Sequence, residues 1–114
     1  MAQSKPNLIQ GTLAMLILRT LEGGQLHGYE IAQRIQQSSE DVLKVEEGSL
    51  YPALYRMEEQ GWIEPEWGAS ENNRRARFYR LTRVGHQLLK AETRDWKQTA
   101  AIIARFFERP EFPR

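Results

Sequence analysis

The sequence has no cysteine among its 114 residues, which excludes disulfide bonds and thiolate metal sites. Long apolar stretches are missing too, since the longest run, residues 13–18, is far too short to span a membrane. Residues 1–10 hold no apolar segment of signal-peptide length. We therefore expect a cytoplasmic protein without a membrane partner, and the chain length favours a single domain.

Catalytic signatures are missing as well. The sequence has two histidines, no glycine-rich phosphate loop and no recognisable nucleophile–base pair. The acid pairs Glu46-Glu47 and Glu58-Glu59 are neighbours in sequence and are typical of solvated positions. The sequence therefore predicts that the protein is not an enzyme and needs no cofactor or metal ion.

Net charge is nearly absent, at +1 from 16 basic and 15 acidic residues, but its distribution is uneven. Residues 72–84 contain five arginines and no acid, whereas residues 58–71 contain five acids and no base. A uniformly solvated surface more often intersperses the two signs. The arginine-rich segment is therefore a candidate anion-binding surface.

Apolar periodicity predicts four helices, at roughly residues 8–22, 28–38, 48–60 and 83–107. Thr82 is a suitable N-cap for the last one. Two aromatic-rich segments, residues 62–67 and 77–82, are typical of strands around a polar turn, and residues 43–45 alternate like a very short strand.

This order of elements predicts a mainly α fold with a small β-hairpin wing. Residues 1–82 are expected to form a winged helix-turn-helix domain that binds duplex DNA. Residues 83–109 are expected to form a long C-terminal dimerisation helix, and residues 110–114 a loose tail.

The third predicted helix is the candidate DNA-reading helix, because one side is apolar and the other is polar or aromatic. A helix of this kind fits the major groove of B-form DNA. If Leu50, Leu54 and Met57 point inward, the outward candidates for phosphate or base contact are Ser49, Tyr51, Pro52, Tyr55 and Arg56. A solvated helix face is the alternative for these residues.

The hairpin and the start of the second helix supply further candidates. At the hairpin, Asn73, Arg74, Arg75 and Arg77 can reach the phosphate backbone or the minor groove. Asn73 also suits the left-handed backbone of a tight turn, and the arginines can equally form a solvated cluster. His27 and Tyr29 open the second helix, whose start faces a phosphate in helix-turn-helix proteins. A turn histidine bonded to the backbone is an equal alternative for His27.

The last predicted helix, at about 25 residues or about 37 Å, is longer than this domain needs to cover its core. Its apolar stripe must be buried, and a second copy of the chain, related by a two-fold axis, is the simplest partner. Such a homodimer suits a palindromic operator. The predicted interface residues are Leu89, Trp96, Ala100, Ile103, Phe106 and Phe107.

The predicted dimer interface has further candidate contacts. The first helix can complete the interface through Leu8, Ile9, Met15 and Leu18. Trp96 is a candidate contact for a small, flat aromatic effector. The alternative to the dimer is that the last helix folds back within the monomer.

Five segments of the chain contain sequence motifs that occur here together. They are residues 11–13 with 16–18, residues 26–29 with Ile31, residues 47–54, residues 58–63, and residues 74–82 with Gly85. The most specific run is Gly48-Ser49-Leu50-Tyr51-Pro52-Ala53-Leu54. With these segments, nearly the whole chain resembles the PadR-like transcriptional regulators, in their compact branch with a single C-terminal helix.

The resemblance implies a winged-helix dimer that usually represses its target genes. It implies DNA contact through the helix with Ser49 and Tyr51 and through the arginine-rich wing, and dimerisation through the last helix. Ligands such as phenolic acids or cationic drugs act on some members. A winged-helix protein-interaction module that does not bind DNA is the competing interpretation, because a fold does not fix a function.

Overall fold

A computed structural model describes residues 4–111, with side chains described for residues 12–111. The elements along the chain are α1 (Ser4–Leu21), β1 (Leu26–His27), α2 (Gly28–Ser38), α3 (Glu47–Glu59), β2 (Ile63–Ala69), β3 (Arg75–Leu81) and α4 (Arg83–Glu108). The predicted mainly α fold with four helices and a hairpin is confirmed.

The wing is the antiparallel hairpin of β2 and β3, whose strands pair residue for residue from Ile63↔Leu81 to Ala69↔Arg75. Residues 70–74 connect them. Asn73 has a φ of 58°, and its backbone N–H donates to the carbonyl of Ser70 over 2.8 Å. Asn73 therefore has the conformational role that its residue type suggests.

The prediction of a short strand at residues 43–45 is wrong. That segment is irregular, and Leu43 and Val45 pack as half-buried residues against the core. The third strand is β1, which adds to the free edge of β3 and gives the sheet order β1-β3-β2. Two residues are too few to show a strand alternation, so the sequence pattern does not reveal β1.

The core lies where α1, α2 and α3 meet the base of the wing. Its fully buried side chains are Ile17, Leu18, Ile31, Leu50, Leu54, Met57 and Ile63. Burying one such side chain stabilises the fold by about 1.5–3 kcal/mol. Leu18 therefore belongs to this core and not to a dimer interface, whereas Leu8 and Ile9 lie outside the residues with described side chains.

Thr82 is the N-cap of α4, as predicted. Its Oγ1 accepts a hydrogen bond from the backbone N–H of Gly85 over 3.0 Å. The same hydroxyl lies 2.6 Å from the carbonyl oxygen of Gly61 and 3.0 Å from that of Trp62. A side chain at residue 85 would collide with the carbonyl of Trp62. The start of α4 is thus fixed against the turn between α3 and β2.

The second half of α4 projects away from the core, and the protein measures 62 × 32 × 21 Å as a result. Pro110 and Glu111 follow α4 without regular structure, while the rest of the predicted tail lies outside the described residues. Within residues 4–111, no helix combines the length and apolar character needed to cross a membrane.

Candidate nucleic-acid interface

A groove of about 640 Å³ lies between the first turns of α2, the start of α3 and the tip of the wing. Tyr51 lines it from α3, and Arg74 and Arg75 line it from the wing. The tyrosine-bearing helix and the arginine-bearing hairpin therefore face the same space. Six of the predicted DNA-contact residues line this groove: His27, Tyr29, Tyr51, Arg74, Arg75 and Arg77.

Basic side chains outnumber acidic ones in the lining of the groove. Its four arginines are Arg34, Arg74, Arg75 and Arg77, while its acids are Glu30 and Glu71. Arg34 lies on α2 and was not among the predicted site residues. Its position on the surface of α2 gives no sequence signal of its own, because a lone arginine on a helix is usually solvated. A concave surface with this excess of positive charge suits a polyanion.

Tyr51 lies against α2 because residue 28 is a glycine. A Cβ built on Gly28 would lie 2.6 Å from the Tyr51 hydroxyl oxygen and 2.9 Å from the ring carbon Cε1. Burial and the nearby Glu47 carboxylate raise the pKa of the Tyr51 phenol above its ordinary value. Tyr51 therefore remains protonated at neutral pH and can donate a hydrogen bond into the groove.

His27 caps α2, which supports the backbone-bonded alternative for this residue. Its Nδ1 accepts from the Glu30 backbone N–H over 3.3 Å, and the Glu30 carboxylate accepts from the His27 backbone N–H over 3.2 Å. The His27 ring also packs edge-on against Phe78 of β3, at 5.3 Å between ring centroids. Tyr29, in contrast, is well exposed and has its hydroxyl near the Gln33 amide, at 3.3 Å.

Ser49, Pro52 and Arg56 do not line this groove. They line a separate depression on the other flank of α3, where they face Leu13 of α1 and Trp62. Tyr55, with 64 % of its surface exposed, is part of the outer face of α3. The predicted outward face of α3 is therefore present, but it spans two sides of the helix.

The three wing arginines nearest the tip have different surroundings. The Arg75 guanidinium lies 4.3 Å from the centre of the Trp67 ring, a cation–π contact. Arg77 forms two hydrogen bonds to the Glu58 carboxylate. Arg74 is exposed and, within the residues whose side chains are described, forms no ion pair.

Trp67 and Glu58 are therefore parts of the site that the sequence interpretation missed. The available signal for Trp67 was its alternation with Ile63 and Pro65, which puts it on the same face of the hairpin as Arg75 and Arg77. Arg80 lies on the opposite face, where its guanidinium pairs with Glu64 over 3.6 Å and with Glu66 over 3.2 Å.

The predicted dimer residues differ in how exposed they are. Leu89 is 4 % exposed and belongs to the protomer's own core, so its assignment to an interface is corrected. Ala100 is half-buried. The other four are exposed on the second half of α4: Trp96, Ile103, Phe106 and Phe107. The fold-back alternative is wrong, because α4 is one continuous helix whose second half leaves these large apolar side chains exposed.

Three helices followed by a two-stranded wing, with a basic groove between wing and helices, define a winged helix-turn-helix protein of the DNA-binding class. Residues 17–91 match the Transcriptional regulator PadR-like family. The chain belongs to this family.

The chain is similar to two solved transcriptional regulators and to a third protein of similar length. A solved transcriptional regulator from Clostridium thermocellum is 31 % identical and superposes with a TM-score of 0.79 over 88 % of this chain and 97 % of its own. A PadR family transcription regulator from Clostridium difficile is 30 % identical, with a TM-score of 0.76 over 85 % and 99 %. A Lysinibacillus sphaericus protein is 29 % identical over 91 % of this chain and 95 % of its own.

The protein is therefore a DNA-binding transcriptional regulator. The family and the solved relatives are transcription regulators and not enzymes.

Proposed function

We propose that this regulator represses its target genes in the cytoplasm, as a homodimer that binds a palindromic operator. Residues 1–82 bind the DNA and residues 83–109 join the two protomers. The observation that carries the proposal is the shared groove, in which Tyr51 of α3 faces Arg74 and Arg75 of the wing. One duplex can contact all three residues at once.

The wing supplies the phosphate contacts in this proposal. Arg74 is exposed at the tip, and Arg75 is oriented by the Trp67 ring beneath its guanidinium. Each arginine that neutralises a phosphate releases a counterion, which makes binding salt-dependent. Tyr29 adds a hydroxyl at the start of α2, whereas the His27 Nδ1 is already used by the helix cap.

Helix α3 supplies the base contacts. Tyr51 and Tyr55 are exposed along its outer side, and Ser49, Pro52 and Arg56 flank them on the side of α1. A helix that enters the major groove can use both flanks, one toward each phosphate strand.

The second half of α4 joins the protomers. Trp96 is 48 % exposed and Phe107 is 84 % exposed, which is unusual for large apolar side chains in a small protein. The α4 helix of a second protomer buries the apolar stripes of both helices. This arrangement places the two α3 helices on one face of a duplex. A small aromatic effector can stack on Trp96 at this interface and change the spacing of the two helices.

The test of DNA binding compares arginine variants by salt titration. The probe is a labelled duplex that the wild-type protein recovers from a randomised pool. We expect Arg74→Ala and Arg75→Ala each to weaken binding and to lower the slope of log K against log salt by about one unit.

Arg80→Ala is the matched control, because Arg80 lies on the same strand as Arg75 but on the opposite face, paired with two carboxylates. This variant should keep the wild-type slope. If both test variants keep the wild-type slope of log K against log salt, the wing does not take part in DNA binding. A wild-type protein that recovers no duplex would favour the protein-interaction module.

A further inference from the structure

Arg77 is tied to α3 by a two-pronged contact. Its Nη1 donates to Oε1 of Glu58 over 3.0 Å, and its Nη2 donates to Oε2 over 2.7 Å. The planar guanidinium matches a carboxylate in this geometry, which makes such pairs stronger and more directional than single contacts. The pair joins the middle of β3 to the last turn of α3, across 19 residues of sequence.

The surroundings of the pair distinguish it from an ordinary surface ion pair. The Glu58 side chain is 17 % exposed and the Arg77 side chain 30 %, whereas the Arg80 and Glu66 side chains are 53 % and 60 % exposed. The Arg77 guanidinium also lies 5.7 Å from the centre of the ring of Tyr79, a core residue. Reduced solvent exposure weakens screening and strengthens the attraction.

Glu58 has no favourable electrostatic role within its own helix. It lies in the last turn of α3, where the helix dipole disfavours a carboxylate. The charge of Arg77, which comes from another element, compensates for this position.

The pair also lies at a position from which it can affect the shape of the groove. In the hairpin register Arg77 is opposite Trp67, two positions from the Ala69↔Arg75 pair at which the strands end. The base of the wing is held by Ile63 and Tyr79 in the core. The Glu58–Arg77 pair is thus a second attachment, between the anchored base and the arginine-bearing tip.

We propose that Glu58 and Arg77 are positioning residues that hold the wing at a fixed angle to α3 and so set the distance between Tyr51 and the wing arginines. This inference rests on the proposed DNA-binding function. It replaces the sequence-based prediction that Arg77 contacts DNA, because both prongs of its guanidinium are bonded to Glu58. The phosphate-binding charges of the wing are then Arg74 and Arg75.

The test is a cycle of four variants, Glu58→Gln, Arg77→Gln, the double Glu58→Gln/Arg77→Gln and the charge swap Glu58→Arg/Arg77→Glu. Arg80→Gln is the matched control for losing an ion pair on the other face of the wing. Two quantities are measured: affinity for the duplex recovered by the wild type, over a range of salt, and amide hydrogen exchange of residues 64–80 without DNA.

We expect each single variant to bind about tenfold more weakly, with the wild-type salt slope, and the double variant to bind no more weakly than either single one. Exchange in the wing accelerates in all three variants. The charge swap restores affinity to within about threefold of the wild type, since it rebuilds the attachment with the charges reversed. Arg80→Gln changes neither quantity.

The opposite pattern identifies Arg77 as a DNA contact and overturns the proposal. In that case Glu58→Gln tightens binding, because it frees the guanidinium, and Arg77→Gln lowers the salt slope by about one unit. If the wild type binds no duplex, the proposed function fails, while the exchange measurement still decides about the attachment. Wild-type exchange in both single variants would show that the pair does not hold the wing.

Discussion

Tyr51 keeps its place in the groove because residue 28 has no side chain. Its ring and hydroxyl occupy the space that a Cβ on Gly28 would need, and Gly28 itself is buried at the first position of α2. The far end of a half-exposed tyrosine moves more easily than a backbone. A methyl group at residue 28 should therefore displace Tyr51 and leave the fold in place.

We expect Gly28→Ala and Tyr51→Ala each to reduce discrimination between the recovered duplex and a random duplex, because both changes remove the ring from its position against α2. Competition binding measures the discrimination. Alanine favours helices over glycine by up to about 1 kcal/mol, so stability should change little.

Gly23→Ala is the control, since nothing lies within 4 Å of a Cβ built at that position. The double variant Gly28→Ala/Tyr51→Ala should discriminate no worse than Tyr51→Ala alone. Wild-type discrimination by Gly28→Ala would show that the position of Tyr51 does not depend on residue 28.

At this scale the sequence predicted which residues the groove contains better than it predicted their partners. Tyr51 was found from residue type and helical spacing, and Arg74 and Arg75 from the clustering of arginines at the hairpin; all three line one groove. The partner of Arg77 depends on how the hairpin packs against α3, which local patterns do not contain. A contact across 19 residues, such as Arg77 with Glu58, is set by tertiary structure.

Among the elements, α4 has an N-cap residue, Thr82, that also contacts residues outside this helix. The Thr82 hydroxyl accepts from Gly85 N–H at the helix start and lies near the carbonyls of Gly61 and Trp62 in the preceding turn. This one side chain connects the C-terminal end of α3 to the N-terminal end of α4. The element that carries the proposed dimer interface is thereby oriented relative to the DNA-binding domain.

We expect Thr82→Ala to lower the free energy of unfolding by about 1 kcal/mol, the usual cost of losing an N-cap. Chemical denaturation measures this loss. Thr82→Ser is the control, because it keeps the hydroxyl and should cost less than the alanine variant. Equal losses in the two variants would show that the methyl group of Thr82, and not its hydroxyl, is important.

The element order was predictable because each helix is long enough to show its period, although α1 begins at Ser4 and not near residue 8. Thr82 marked the start of α4, and the aromatic segments marked β2 and β3. The two-residue strand β1 was not predictable, since it exists only by pairing with β3. Residues 43–45 alternate for a different reason: Leu43 and Val45 cover the core from a loop in which Glu40 and Asp41 have φ values of 54° and 68°.

On the scale of the whole molecule, α4 divides into two halves. Its 26 residues correspond to about 39 Å of helix, and its first half is anchored by Leu89 in the core. The second half continues the same apolar stripe past the domain, through Trp96, Ile103 and Phe107. One surface of α4 thus packs on the protomer's core in its first half and is exposed in its second half.

We expect Trp96→Glu and Ile103→Glu to convert a dimer into a monomer, because each places a carboxylate in an interface that must exclude water. Sedimentation at micromolar concentration measures the change. A monomer binds only one half-site, so its affinity for the recovered duplex should fall by about 100-fold or more, as expected when the second contact is no longer tethered.

Gln98→Glu is the matched control, because Gln98 lies in the same helical turn as Trp96 but on its polar side, near Lys97 and Arg94. This variant should remain dimeric. A wild-type protein that sediments as a monomer at these concentrations would refute the dimer. If instead Trp96→Glu and Ile103→Glu both remain dimeric, the two protomers meet elsewhere, and the exposed stripe on α4 must have another partner.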